Sequence, residues 1–143
     1  MNVNENTKKI IHWSFWIICV ITLIWNVLGA INFLVQLNPD THTAYRETER
    51  LIIVGRPLWA TLGFALAVFG GTIGCALLLF KKAISYYVFI ASFVGVLITM
   101  LHALTTGIEF KFAEVFGIIL FPILVGGFLI WYAKFCERSG WIV

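Results

Sequence analysis

Residues 58–80 read LWATLGFALAVFGGTIGCALLLF, an apolar run without a charged side chain. A helix needs about 20 apolar residues to cross a bilayer core of about 30 Å, so this run predicts a membrane-spanning helix. Six small residues share one face of that helix: Ala60, Gly63, Ala67, Gly70, Gly71 and Gly74. This small-residue stripe predicts the close approach of another helix. Its partner is either the first span, where Gly29 offers a matching notch, or a second subunit, and we favour the first span.

Three more stretches qualify as spans, and the four together cover about residues 12–36, 58–80, 83–104 and 112–135. The 143-residue chain is 61% hydrophobic and 12% charged, whereas soluble domains are about 45–50% apolar and about 25% charged. These values exclude a water-soluble fold. We predict an all-α membrane protein with its four transmembrane helices in an up-down bundle, forming one domain over residues 1–143. The first apolar run is too long for a cleaved signal peptide and should stay in the mature protein.

The charge and the cysteines exclude other classes of protein. A net charge of +3 is too small to indicate a nucleic-acid partner. Cys19, Cys75 and Cys136 have neither the even number of a disulfide framework nor CxxC spacing. We expect the three thiols to pack in the core, as small apolar side chains do.

Basic residues favour one side of the membrane. Six would lie on the side of both termini and four on the other: Lys8, Lys9, Lys81, Lys82, Lys134 and Arg138, against Arg46, Arg50, Arg56 and Lys111. The Lys81–Lys82 turn is very short, and short loops follow the positive-inside rule best. We therefore predict that both termini are cytoplasmic.

The connection between the first two spans, residues 38–56, predicts a short amphipathic helix on the outer membrane surface or over the bundle mouth. Pro39 and Asp40 look like its start and Gly55 can end it. Its apolar face would hold Ala44, Tyr45, Thr48, Leu51, Ile52 and Gly55.

The first span has one polar face and one aliphatic face. A helical wheel groups Thr22, Trp25, Asn26, Gly29, Asn32, Phe33 and Gln36 on the polar face. Its three amides therefore point into the bundle. They could simply hydrogen-bond neighbouring helices, or they could line a binding pocket, and both interpretations stay open.

The third and fourth spans have features of their own. Ser85, Ser92 and Thr99 recur every seven residues, with Gly95 and His102 on the same seam, which predicts helix packing. His102 is either an interfacial residue or, with His42, Glu109 and Glu114, part of a metal site. Pro122 predicts a kink or weak point near Ile118, although proline is also common in membrane helices.

Most catalytic chemistry has no residues to support it. The centre of each span lacks Asp, Glu, Lys and Arg, which argues against proton-coupled export. The sequence contains no hydrolase triad, HExxH or phosphate loop. We predict no catalytic residue, metal site or cofactor. A lipid- or quinone-modifying activity at His102 and Glu114 is a remote alternative.

Three segments carry a family resemblance: LIWNVLG at 23–29 with Phe33 and Gln36, RPLW at 56–59 and ALAVFGGTIG at 65–74. They resemble a group of small four-helix bacterial inner-membrane proteins that are commonly labelled sugar transporters. The resemblance covers the first two spans well and the third loosely. It implies an inner-membrane location and places Asn26, Gln36, Arg56 and Trp59 near the outer mouth, where amides suit sugar hydroxyls and an aromatic ring suits a sugar face.

Our functional hypothesis is binding or passage of a small polar solute in the outer half of the bundle, lined by Asn26, Asn32, Gln36, Arg56 and Trp59. Because four helices make a narrow bundle, a transport route would need a dimer or larger assembly. The alternative is a structural or accessory subunit that binds another membrane protein through the small-residue stripe and transports nothing.

Overall fold

The computed structural model describes residues 10–143, and every regular element in that range is helical. The elements are α1 (Trp13–Gln36), α2 (Glu47–Ile53), α3 (Leu58–Leu79), α4 (Ser85–Thr105) and α5 (Phe112–Arg138). All except α2 are long and apolar enough to cross a membrane. These four helices begin and end within three residues of the predicted spans. Lys8 and Lys9, which the orientation prediction counted, lie outside the described residues.

The four long helices pack in the order α1, α3, α4, α5, with close backbone approach between successive members. Accordingly, 39% of the apolar window of α3 and 33% of that of α4 is buried, against 17% for α1 and 11% for α5. The first and last helices of this order, α1 and α5, meet through side chains. The ring of Trp25 in α1 lies edge-on to that of Phe121 in α5, with 5.1 Å between centroids. The predicted aliphatic face of α1 is largely exposed. Its exposed side chains include Val20, Ile21, Ile24, Val27, Leu28, Ile31, Leu34 and Val35.

The small-residue stripe of α3 packs mainly against α4. A Cβ atom at Gly63 would lie 2.4 Å from the side chain of Ile98, and one at Gly74 would lie 2.6 Å from the ring of Phe89. Among the four glycines of the stripe, Gly71 alone has its nearest neighbour in α1, namely Asn26. The stripe therefore packs within the chain, as favoured, but the prediction that α1 is its partner is wrong for Gly63, Gly70 and Gly74. The physical reason is that α4 supplies its own small residue, Gly95, whose Cβ would lie 2.5 Å from the backbone oxygen of Gly63.

The connection from α1 to α3 contains less regular helix than predicted. Pro39–Ala44 form a 3₁₀ turn, and α2 begins only at Glu47 because Tyr45 and Arg46 are extended. The predicted apolar face is also wrong in part, since Leu51 and Gly55 are exposed and Ile53 is the buried residue of α2. Gly55 has a φ of 74°. Glycine adopts this left-handed conformation more readily than other residues, and the conformation commonly ends a helix.

Helix α5 departs from α-helical geometry close to its proline. Residues Val115–Leu120 are π-helical, and the backbone N–H of Phe121 donates to the oxygen of Phe116, five residues earlier. Pro122 has no N–H to donate to Ile118, so the ordinary ladder must break at this point. The predicted weak point thus coincides with the irregular part of the helix.

The core is dense at one end of the bundle. Its main cluster consists of Phe15, Cys19, Cys75, Leu78, Phe89, Leu129, Tyr132, Ala133, Cys136 and Ile142. All three cysteines are free and buried there, which confirms their predicted packing role. The other cluster is much smaller, with Ala30, Phe33 and Val68 as its buried members. The packing therefore becomes looser from the Lys81 turn toward α2.

Candidate functional site

A cavity of about 370 Å³ lies among the four long helices, next to the dense core. Each helix contributes to its wall: Trp25, Asn26, Leu28, Gly29 and Asn32 from α1; Phe64, Ala67 and Val68 from α3; Phe89, Ser92, Val96, Thr99 and Met100 from α4; and Pro122, Val125, Gly126 and Leu129 from α5. We call this space the central cavity. Its wall is mainly apolar and carries a few polar groups, which is the usual composition of a small-molecule site.

Asn26 is the polar group nearest the dense core. Its Nδ2 donates to the backbone oxygen of Thr22 at 2.9 Å and lies 3.6 Å from the Sγ of Cys75. Its Oδ1 occupies the notch left by Gly71, where a Cβ atom would be only 1.9 Å away. Within residues 10–143 no donor is bonded to this Oδ1. Asn26 is thus held in one position, and its Oδ1 accepts no hydrogen bond from the described residues.

The other polar groups of the central cavity come from α1 and α4. Ser92 Oγ donates to the backbone oxygen of Ala67 at 2.7 Å, and Thr99 Oγ1 donates to that of Gly95 at 2.9 Å. Asn32 accepts a 2.7 Å bond at Oδ1 from the hydroxyl of Tyr45. The two hydroxyls keep acceptor lone pairs, and Asn32 keeps its NH₂ group. The cavity can therefore offer both acceptors and donors to a polar solute.

A further space of about 390 Å³ adjoins the central cavity at the end of the bundle that carries α2. Both spaces are lined by Asn32, Phe64, Thr99, Met100 and Pro122, so they meet at that level. The second space, which we call the vestibule, is further lined by Gln36, Tyr45, Glu49, Ile52, Ile53, Arg56 and Ile118. Polar and charged side chains are more prominent there than in the central cavity.

Arg56 and Gln36 form the main polar contact of the vestibule. Arg56 Nη1 donates to Gln36 Oε1 at 3.0 Å, and the guanidinium lies over the ring of Phe64, 5.1 Å from its centroid. Gln36 is buried, and its backbone oxygen accepts a 2.9 Å bond from Nε2 of His42. Burial lowers the pKa of the Arg56 guanidinium, with a smaller opposing effect of Tyr45. The arginine stays a cation at any physiological pH.

The structure brings together four of the five predicted site residues. Asn26 and Asn32 line the central cavity, and Asn32, Gln36 and Arg56 line the vestibule. Trp59 lines neither space. Its ring lies edge-on to that of His102, with 5.7 Å between centroids, and the side chain is half-exposed on the outside of the bundle.

His102 and Glu114, the residues considered for metal or enzyme chemistry, are both bound to protein groups. His102 is buried and donates from Nε2 to the backbone oxygen of Ile52 at 3.2 Å. Glu114 accepts bonds from Thr48 Oγ1 at 2.8 Å and from the backbone N–H of Lys111 at 3.0 Å. In the described part of the chain, no three His, Cys, Asp or Glu side chains are grouped so that they could hold a metal ion.

Sequence reasoning missed several residues of the wall. Ser92 and Thr99 were recognised only as a packing seam, and Tyr45 only as part of an apolar face. The signal for the first two was available, because hydroxyls seven residues apart share a helix face and could have faced the amides of α1. The position of Tyr45 depends on the extended backbone at residues 45 and 46, for which the sequence carries no clear sign.

Together these residues form a hollow with a mainly apolar wall, in which a few amide, hydroxyl and guanidinium groups keep free hydrogen-bonding positions. The chain was also compared with known proteins. No protein-family model, curated protein or solved structure matches it.

Proposed function

We propose that this chain is a multi-pass protein of the bacterial inner membrane that binds a small polar solute in the central cavity and lets it pass. The cavity itself carries the proposal, because a space of about 370 Å³ with a few polar groups in a mainly apolar wall is more than the packing of four helices needs. The resemblance to proteins labelled sugar transporters favours a sugar-like solute. Asn26 Oδ1 and the NH₂ group of Asn32 would then bind its hydroxyls.

An up-down arrangement with cytoplasmic termini is part of the proposal. It is supported by contacts at the two ends of the bundle. Val143 exchanges backbone hydrogen bonds with Lys81 and Ala83, so the C-terminal segment lies beside the basic turn between α3 and α4. At the other end, Thr48 of α2 bonds Glu114 at the start of α5. The basic end would face the cytoplasm, and the vestibule would open outward.

Passage requires the dense core to open. Phe15, Cys19, Phe89 and Tyr132 are buried between the central cavity and the basic end, so a solute in the cavity has no open path beyond them. We propose that α5 moves away from α1, because backbone contact between these two helices is sparse. The π-helical segment Val115–Leu120 and Pro122 would act as the hinge, because helices bend where proline or a π-helical turn interrupts their hydrogen-bond ladder.

The experiment is solute uptake into liposomes that contain only this protein. Asn26→Leu removes the amide nearest the core and should abolish uptake. Thr72→Val is the matched control, because Thr72 is a polar residue of α3 whose hydroxyl, within residues 10–143, bonds only the backbone oxygen of Val68 and lines neither space. Uptake by the Thr72→Val variant but not by Asn26→Leu supports the proposal. Equal uptake by both variants contradicts it.

The accessory-subunit alternative depended on a free small-residue stripe. Within the described structure α4 covers most of that stripe, so it offers little surface to another protein. Solute binding within one chain also makes a dimer unnecessary for the site itself. Purification tests this alternative, because a stoichiometric membrane partner without uptake would favour it.

A further inference from the structure

Two charged side chains line the vestibule, and only one of them is paired with an opposite charge within the described residues. Glu49 is paired with Arg46, with 2.6 Å between Oε1 and Nη2. Arg56, in contrast, forms no ion pair with a carboxylate in residues 10–143. Its Nε is buried without a hydrogen-bond partner in that range, and its one hydrogen bond goes to the neutral amide of Gln36. A partly buried guanidinium with unsatisfied donors is costly unless an acceptor binds to it.

The amides around Arg56 also present donors rather than acceptors. Arginine has only donors, so the Gln36 atom at 3.0 Å from Nη1 must be the oxygen, which leaves the NH₂ group free. Asn32 is engaged in the same way, because its Oδ1 accepts from the Tyr45 hydroxyl. Neither NH₂ group has a protein partner within the described residues. Three donor groups from Arg56, Gln36 and Asn32 therefore line one space of about 390 Å³.

From this arrangement we infer that the vestibule selects a solute that carries an oxyanion group, such as a carboxylate, and binds that group through Arg56, Gln36 and Asn32. The inference rests on the proposed function and narrows its solute class from polar solutes in general to anionic ones. A guanidinium flanked by two free NH₂ groups suits a carboxylate, since a carboxylate accepts at both oxygens and can bind arginine in a bidentate manner, and the Glu49 carboxylate in the same lining is already paired with Arg46. A neutral sugar, which both donates and accepts, would leave the arginine charge unpaired.

Glucuronate and glucose are a suitable pair of probes, because they share a ring and differ by a carboxylate. We expect isothermal titration of the purified protein in lipid-free detergent to show at least about tenfold tighter binding of glucuronate, as charge-assisted hydrogen bonds contribute about 1.4 kcal/mol or more. Arg56→Gln should remove this difference, and Arg56→Lys should retain part of it. Arg50→Gln is the control, because Arg50 is paired with Glu47 and does not line the vestibule. This variant should keep the difference in affinity between glucuronate and glucose.

Equal affinity for the two compounds would overturn the inference and leave the proposed function intact. Binding of neither compound would also overturn it, and uptake of a wider solute panel would then decide the proposed function separately. A lipid phosphate is another source of an oxyanion. Saturable binding of dioctanoyl-phosphatidylglycerol, with no binding of glucuronate, would assign the vestibule to a lipid headgroup and overturn the solute proposal. A folded Arg56→Lys variant keeps the test valid if Arg56→Gln does not fold.

Discussion

At the scale of single residues, the fit of Asn26 to Gly71 links helix packing to the cavity. The amide oxygen of Asn26 occupies the space in which any residue other than glycine at position 71 would place its Cβ atom. In return, Nδ2 is bonded within α1 and lies near Cys75. Asn26 therefore cannot turn away from α3 without losing these contacts, so its position at the cavity wall is fixed by packing.

Gly71→Ala tests this fit. Its Cβ would lie 1.9 Å from Asn26 Oδ1, so the amide must move. We expect a loss of about 1–3 kcal/mol in the free energy of unfolding, as in overpacked cores. The measurement is thermal or denaturant unfolding in detergent, followed by circular dichroism.

Gly127→Ala is the control for this substitution, because nothing lies within 4 Å of its added Cβ. This variant should be neutral or gain up to about 1 kcal/mol from helix propensity. Equal stability of the Gly71→Ala and Gly127→Ala variants would show that the notch does not exist.

The sequence predicts the members of this pair but not their meeting. Asn26 falls on the polar face of its helix and Gly71 on the stripe of the next span, and both follow from helical periodicity. Which residue of α1 lies opposite Gly71 depends on the relative height and rotation of two helices. Those quantities are set by all of their contacts together.

At the scale of elements, the contact between α3 and α4 is the most tightly packed in the bundle. Gly95 of α4 lies against the backbone of α3, and a Cβ there would be 2.6 Å from the amide nitrogen of Ala67. At Gly70 the nearest atom is instead the Cβ of Ser92, at 3.1 Å. The next atom near Gly70 is the Cα of Ser92, at 3.3 Å, so both glycines lie against atoms that move only with the backbone. Because the overlap at Gly95 is deeper by about half an ångström, the two glycines should differ in their tolerance of substitution.

We therefore predict that Gly95→Ala destabilises the protein more than Gly70→Ala does. The first should reach or exceed the upper end of the range of about 1–3 kcal/mol for overpacking, and the second should fall near its lower end. The comparison uses the same unfolding assay as before. The reverse order would mean that α3 and α4 are not in the contact described.

The small-residue stripe shows what the sequence can and cannot predict about the packing of whole helices. Its small residues predict a close helix contact, which α4 provides. They do not identify the partner, because the glycines of α1 and α4 fit a small-residue groove equally well. The length of α2 was overestimated for a different reason. The apolar spacing at residues 44–55 is helical, yet the extended backbone at Tyr45 and Arg46 interrupts it.

At the scale of the whole molecule, one half of the bundle is densely packed and the other is hollow. The dense half adjoins the Lys81 turn, and the hollow half adjoins α2. The four long apolar helices were predictable, since hydropathy and length alone indicate them. The hollow was not, because a cavity depends on how the side chains of four helices fail to meet.

The proposed orientation predicts which end is accessible from outside the cell. A cysteine at Thr43, an exposed residue of the connection before α2, should react with a membrane-impermeant maleimide in intact cells. A cysteine at Ser139 should react only after permeabilisation. The three native thiols are buried and should contribute little background. Labelling of the Ser139→Cys variant in intact cells, or its absence for Thr43→Cys, would contradict this orientation.

The central claim is that the central cavity binds a small polar solute, and the melting temperature of the purified protein tests it most directly. Across a panel of sugars, sugar acids and other small metabolites, we expect at least one compound to raise the melting temperature of the unmodified protein and of Thr72→Val. Saturation at 100 times the dissociation constant stabilises a protein by about 2.7 kcal/mol, which such an assay detects. The same compound should not stabilise Asn26→Leu. The absence of a shift with every compound, or an equal shift in Asn26→Leu, would contradict the claim.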